Sequence, residues 1–146
     1  MRFSFAVLLI AMLAACSSGS GARPADLPQA DVNVMLRAPL MFGSSRVASA
    51  GLDVTVRNQA TVPIRVRRIQ LSSPAMVEYA IRPVERAFND VLGPGETKTF
   101  SILAEAVSSS AGLSPSEPLN VRAVIQFEEG KRSYRDVFTI MSANMR

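Results

Sequence analysis

The sequence predicts an all-β fold, a single antiparallel two-layer β-sandwich of about seven strands. Three observations predict it. From residue 31 onward apolar side chains recur with period two in short runs. Gly, Pro, Asn and Ser clusters separate those runs at spacings typical of all-β domains. From Cys16 on, about 130 residues remain, enough for one hydrophobic interior but not two.

In chain order the first element is a leader. Met1 and Arg2 form a short positive segment, and Phe3 to Ala15 follows without a charge, broken only by Ser4. Thirteen helical residues cover roughly 20 Å, short of the roughly 30 Å hydrocarbon core, so export followed by cleavage fits better than a retained span. Leu13, Ala14, Ala15 and Cys16 resemble the bacterial lipobox, in which leucine and two small residues precede the cysteine that is lipidated. The resemblance implies a signal peptide over 1–15, diacylglycerol on the Cys16 sulfur and a chain anchored on a membrane. Ser17 after the cysteine resembles the sorting signal of outer-membrane rather than inner-membrane lipoproteins, which implies a periplasm-facing position. The alternative is an ordinary secretory signal cut near Ala15, with Cys16 an incidental thiol. Two or three acyl chains, at about 0.8 kcal/mol per buried methylene, hold a protein on a bilayer far longer than one myristoyl group does. Residues 16–30 read as the lipidated cysteine and a flexible tether, rich in Gly and Ser with Pro24 and Pro28. Cys16 is the only cysteine, so an oxidising compartment offers no intrachain disulfide.

The sandwich is assigned to 31–146. Val32, Val34 and Leu36 alternate with Asn33, Met35 and Arg37, and a turn follows at Gly43 to Ser45. Leu52, Val54 and Val56 make 47–57 the clearest half-buried strand, in which Gly51 suggests a bulge. Asn58 to Thr61 turns the chain into a strand over 62–71. There Ile64 and Val66 have one parity and Ile69 and Leu71 the other, which predicts a β-bulge at Arg67 and Arg68 with both guanidinium groups outward. Val77, Tyr79 and Ile81 alternate up to Pro83. Residues 83–92 fit two readings equally, a short helix with Val84, Phe88, Val91 and Leu92 at helical spacing, or an irregular edge strand. Gly93, Pro94 and Gly95 turn into a strand over 98–105, 108–118 reads as a loop, and 119–127 with 134–140 closes as a hairpin around Gly130.

Leu52 to Asn58, Pro63 to Ile69, and Leu92-Gly93-Pro94-Gly95-Glu96 together resemble immunoglobulin-like and fibronectin-like modules, which share this rhythm of strand, Asn turn, strand and Pro-Gly-Glu turn. They are also faintly similar to the late-embryogenesis-abundant type of sandwich. The resemblance implies the architecture only, because tryptophan and a second cysteine, hallmarks of antibody domains, are missing.

The composition narrows the chemistry. The chain has no histidine, which removes the commonest general base, the commonest transition-metal ligand and every Ser-His or Cys-His mechanism. With Cys16 lipidated, no thiolate remains for catalysis or zinc. The carboxylates are scattered over turns and outward strand positions, with Glu128 and Glu129 beside Gly130, and read as solvated charges rather than a facing pair. We therefore expect no enzyme activity, no catalytic residue, no metal and no cofactor. Removing Arg2 leaves 15 basic side chains against 12 acidic ones, a mild balance, and nucleic acid is not an expected partner of an exported protein.

Arg57, Arg65, Arg67 and Arg68, with Arg82 and Arg86 further on, are the candidate interaction residues. If their strands neighbour one another in one sheet they form a basic face for phosphate or carboxylate groups. The plainer reading is a solvated sheet face paired with Asp53, Glu78 and Glu85. Met41, Phe42 and Phe88 are the apolar residues expected on loops. The expected function is that of a membrane-anchored envelope lipoprotein that docks an envelope protein or complex of unknown identity. The alternative is a periplasmic lipoprotein that binds lipid or another apolar or anionic ligand.

Overall fold

The computed structural model describes residues 27–42, 45–74, 79–109 and 119–142. The leader, Cys16, the tether up to residue 26, the expected turn residues 43–44, Val77, Glu78 and most of the 108–118 loop lie outside the described residues. Eight strands form in chain order: β1 Ala30–Leu36, β2 Val47–Asn58, β3 Ile64–Ser72, β4 Tyr79–Ile81, β5 Val84–Leu92, β6 Thr97–Ser108, β7 Leu119–Glu129 and β8 Arg132–Ser142. They make two antiparallel four-stranded sheets, ordered β1-β2-β6-β4 and β5-β3-β7-β8. The all-β sandwich is thus established, with eight strands where about seven were expected. The additional one is β5, for which a helix had been the other reading.

Period-two alternation places one face of each sheet inside. Leu36, Leu52, Val54, Val56 and Ile102 from the first sheet meet Ile64, Ile69, Leu71, Ile125 and Phe127 from the second, each with essentially no exposed surface. Burying a side chain of this kind contributes about 1.5–3 kcal/mol, so the interdigitated layer is the main source of stability in a domain without a disulfide. The folded unit starts earlier than the expected boundary at residue 31. Leu27 packs against the core and Gln59 N–H donates to the Gln29 carbonyl at 2.9 Å, so the last residues assigned to the tether belong to the sandwich.

The bulge at Arg67 is present. Between Val66 and Arg68 the register with β7 slips by one residue, Phe127 and Gln126 being consecutive partners, so Arg67 is the extra residue on β3. Against β5 the same Arg67 stands opposite two residues, since Val66 pairs with Asp90 and Arg68 with Ala87. The sheet therefore gains one residue at each step from β7 to its edge. Phe88, one of the two added on β5, is half-buried and meets Phe100 of the opposite sheet edge-on, with ring centroids 4.7 Å apart. It is a core plug, as Phe42 is by stacking on Tyr79 at 5.3 Å, whereas Met41 is exposed. Gly51 makes no bulge, because the register of β2 with β6 runs through it unbroken. The chain instead passes close by it, and Arg37 N–H donates to the Gly51 carbonyl at 2.9 Å.

Two turns are set by glycine. At Gly93-Pro94-Gly95-Glu96, Glu96 N–H donates to the Gly93 carbonyl at 3.1 Å, and Gly95 has φ of 73°, which with proline before it is the type II pattern. In the β7–β8 hairpin, Gly130 (φ 57°) and Lys131 bridge the pair Glu129 and Arg132, a two-residue loop with glycine first, as type II′ requires.

Candidate functional site

The outward side of β5-β3-β7-β8 carries five of the eleven described arginines. On β3, Arg65, Arg67 and Arg68 face out around the bulge, with Gln70 and Ser72 beyond. Their acid partners come from both neighbouring strands. Arg65 and Arg67 share Glu128 of β7 at 3.9 and 3.5 Å, and both donate to the Asn89 carboxamide oxygen on β5. Arg68 meets Glu85 of β5 at 2.7 Å. These pairs are about half-exposed, a setting in which each contributes less than about 1 kcal/mol and weakens with salt.

Register adds two arginines that the sequence reading passed over. Inward Val121, Ala123, Ile125 and Phe127 on β7 place Arg122, Val124 and Gln126 outward, and inward Tyr134 on β8 places Arg135 and Val137 outward. Arg135 pairs with Gln126 and Val137 with Val124 across the hairpin. Arg122 and Arg135 stand at a shallow cleft of about 210 Å³, lined also by Gln70, Ser72, Val124 and Val137. A smaller hollow of about 120 Å³ shares Gln70, Val124 and Arg135 and extends to Arg68, Glu85 and Gln126. Among the described residues neither Arg122 nor Arg135 has a carboxylate within ion-pair distance. The signal was available in the alternation of the closing hairpin, once both strands were registered around Gly130.

Arg57 does not join this face. It lies next to the end of β2 in the other sheet, because the β2–β3 connection crosses between layers, so the four arginines taken together do not form one surface. Arg82 pairs with Glu105 at 2.8 Å and Arg86 donates to the Glu85 carbonyl. Of the acids expected to neutralise the face, Glu85 does so, whereas Asp53 is held by Arg37 at 3.1 Å and by the Ser101 hydroxyl at 2.7 Å on the opposite sheet. Among the described residues no group of three or more His, Cys, Asp or Glu side chains is placed to hold a metal ion.

A second feature lies on the first sheet. β4 covers only Ala106, Val107 and Ser108 of the twelve-residue β6 before the chain crosses to β5 through Pro83. Beyond them Arg82 N–H still donates to the Glu105 carbonyl at 2.9 Å. An open groove of about 530 Å³ runs there, lined by Val47, Arg82, Pro83, Val84, Leu103 and Glu105 among others.

No known protein family and no curated protein matches this chain. Solved structures do. The structural-genomics target SoR45 aligns with a TM-score of 0.54 at 6% identity, over 80% of this chain and 86% of that one. A candidate ApaA protein from Bordetella pertussis aligns with a TM-score of 0.50 at 14% identity, over 82% of this chain and 94% of that one. At such identities the likeness shows the fold alone.

Proposed function

We propose that the chain is an envelope lipoprotein, held by lipid on Cys16 at a membrane, most simply the outer membrane facing the periplasm, and that its sandwich docks an acidic surface of an envelope protein without catalysing a reaction. The observation that carries this reading is the pair Arg122 and Arg135. Two guanidinium groups without carboxylate partners among the described residues flank the apolar floor of Val124 and Val137. Arginine forks of this kind recognise carboxylates bidentately, and an apolar centre with a charged rim is the composition of a docking surface. The lipobox at Leu13–Cys16 supports the anchor, and the lack of histidine supports a non-enzymatic role.

Two experiments test the reading. Metabolic labelling with palmitate should mark the wild type and not Cys16→Ala, and an unlabelled wild type removes the anchor. Affinity capture from solubilised envelope with the full-length chain should retain a protein that Arg122→Glu/Arg135→Glu loses and that high salt releases. Equal retention by both chains removes the face. The carrier reading has less support, since the clefts are open at the surface and the side chains between the sheets are packed without exposure. Native mass spectrometry with a co-purifying lipid would revive it.

A further inference from the structure

Unpaired strand edges are templates for association, and proteins blunt them with charge, proline, bulges or brevity. The sandwich does so along most of its edges. β5 carries the two added residues, Phe88 and Asn89, with Glu85, Arg86 and Asp90, β8 carries Arg132, Arg135 and Asp136, β1 carries Asp31 next to its first residue, and β4 is three residues long. The part of β6 that β4 leaves uncovered is different. Thr99-Phe100-Ser101-Ile102-Leu103-Ala104 has no charge, proline or glycine, and its register with β2 is unbroken. The adjacent Lys98, which could act as a gatekeeper, has its ammonium on Asp90. A six-residue window of this composition at an open edge is an aggregation hazard unless something pairs with it.

The direction of the open backbone groups follows from one bond. The Glu105 carbonyl points to the β4 side, where it accepts from Arg82 N–H. In an antiparallel ladder every second residue faces the same edge, so Leu103, Ser101 and Thr99 present N–H and C=O there. Among the described residues none of these groups has a hydrogen-bond partner.

We propose that this edge pairs with the same edge of a second copy of the chain, antiparallel, with the two-fold axis at Ser101. Centred there, Ser101 faces Ser101 of the second copy, and Thr99 and Leu103 exchange partners, so that six N–H···O bonds close. All three pairs are hydrogen-bonded pairs, as the direction of the Glu105 carbonyl requires. The side chains agree with this register. Lys98 stands opposite Ala104, Phe100 opposite Ile102, and no like charges face each other. Leu103, which is 64% exposed in the single chain, comes to lie beside Thr99 of the second copy. The Arg82–Glu105 contact bounds the pairing at both ends, because the axis relates one end to the other. The product is a continuous sheet running β1-β2-β6-β6-β2-β1, an isologous dimer of the commonest symmetry. It uses a surface separate from the arginine cleft, so either can hold without the other.

Cysteine cross-linking in the membrane tests the register. Cα atoms of a hydrogen-bonded antiparallel pair lie roughly 5.5 Å apart, within disulfide range. The full-length chain with Ser101→Cys, oxidised in its membrane, should run as a disulfide-linked dimer on a non-reducing gel. The wild type, which carries only Cys16, and Ser49→Cys, which is exposed on β2 away from the edge, should not. A Ser101→Cys chain that stays monomeric, or that links to a different protein, overturns the proposal, and so does equal dimer from Ser49→Cys. Sedimentation velocity on the detergent-solubilised full-length chain gives an independent check. Wild type should sediment as a dimer and Leu103→Lys as a monomer with an unchanged far-UV spectrum. A monomeric wild type, or a Leu103→Lys chain that still dimerises, has the opposite meaning.

Discussion

The carboxamide of Asn58 donates to the backbone carbonyl of Leu92 at 3.1 Å, joining two turns that are 34 residues apart in the chain. The same nitrogen lies 2.8 Å from the Val62 carbonyl and 3.1 Å from that of Gly93, and the side-chain oxygen accepts from Ala60 N–H at 2.9 Å. Backbone bonds from Asn58 to Glu96 and from Gly95 to Asn58 complete the junction. Asn58 is fully buried, so Asn58→Ala should cost on the order of 3 kcal/mol by stranding several polar groups, read as a lowered urea midpoint. Asn58→Asp should be at least as damaging, since a carboxylate would face the carbonyls to which the amide donates. A milder effect of the aspartate would mean that packing rather than donation holds the junction.

Phe88 and Val91 separate the two readings of residues 83–92. A helix with its apolar stripe inward would bury both. In β5, Phe88 points at Phe100 and Val91 is about half-exposed. Phe88→Ala should cost about 2 kcal/mol, less than a fully buried phenylalanine, while Val91→Ala should stay within about 0.5 kcal/mol. Chemical denaturation of the two variants is the measurement, and equal losses would contradict the strand.

The glycines divide in the same way. Gly95 and Gly130 have positive φ with open space around them, so alanine there meets backbone strain alone and should cost about 1 kcal/mol at each site. A Cβ at Gly51 would lie 3.5 Å from the Arg37 Cβ, an ordinary contact, and Gly51→Ala should be neutral within about 0.5 kcal/mol. Thermal melts of the three variants should rank Gly51→Ala closest to wild type.

The arginines of the outward face should contribute little to folding. Arg122→Ala, Arg135→Ala and Glu128→Gln should each change stability by less than about 1 kcal/mol, and the Glu128→Gln effect should shrink in 0.5 M salt. A loss of several kcal/mol at Arg122 would make it a structural residue and remove it from the docking surface.

Much of the sandwich could be read from its sequence because β2, β6 and β7 are long strands, each with one face buried along its length, where alternation is strict. The bulge at Arg67 was readable for the same reason, since the apolar parity changes between Val66 and Ile69. β5 was readable only as one of two equal alternatives. It is an edge strand whose inward positions include Arg86 and Asp90 beside Val84, Phe88 and Leu92, and the exposed Val91 completes a false helical spacing. Arg57 was misplaced because nothing local tells that the Asn58 turn crosses from one layer to the other. Arg122 and Arg135 needed two strands to be registered together before they came into view.

The stepwise gain of residues from β7 through β3 to β5 governs which changes of length the sheet can absorb. β5 holds two more residues than β7 at this level, an even number, and so keeps one uninterrupted alternation from Val84 to Leu92. Removing Phe88 and Asn89 together would keep every remaining side chain of β5 on its present face, at the cost of the space beside Phe100 and of the acceptor that Asn89 offers Arg65 and Arg67. Removing either one alone would turn half the strand inside out. Length variation tolerated at this edge should therefore come in pairs.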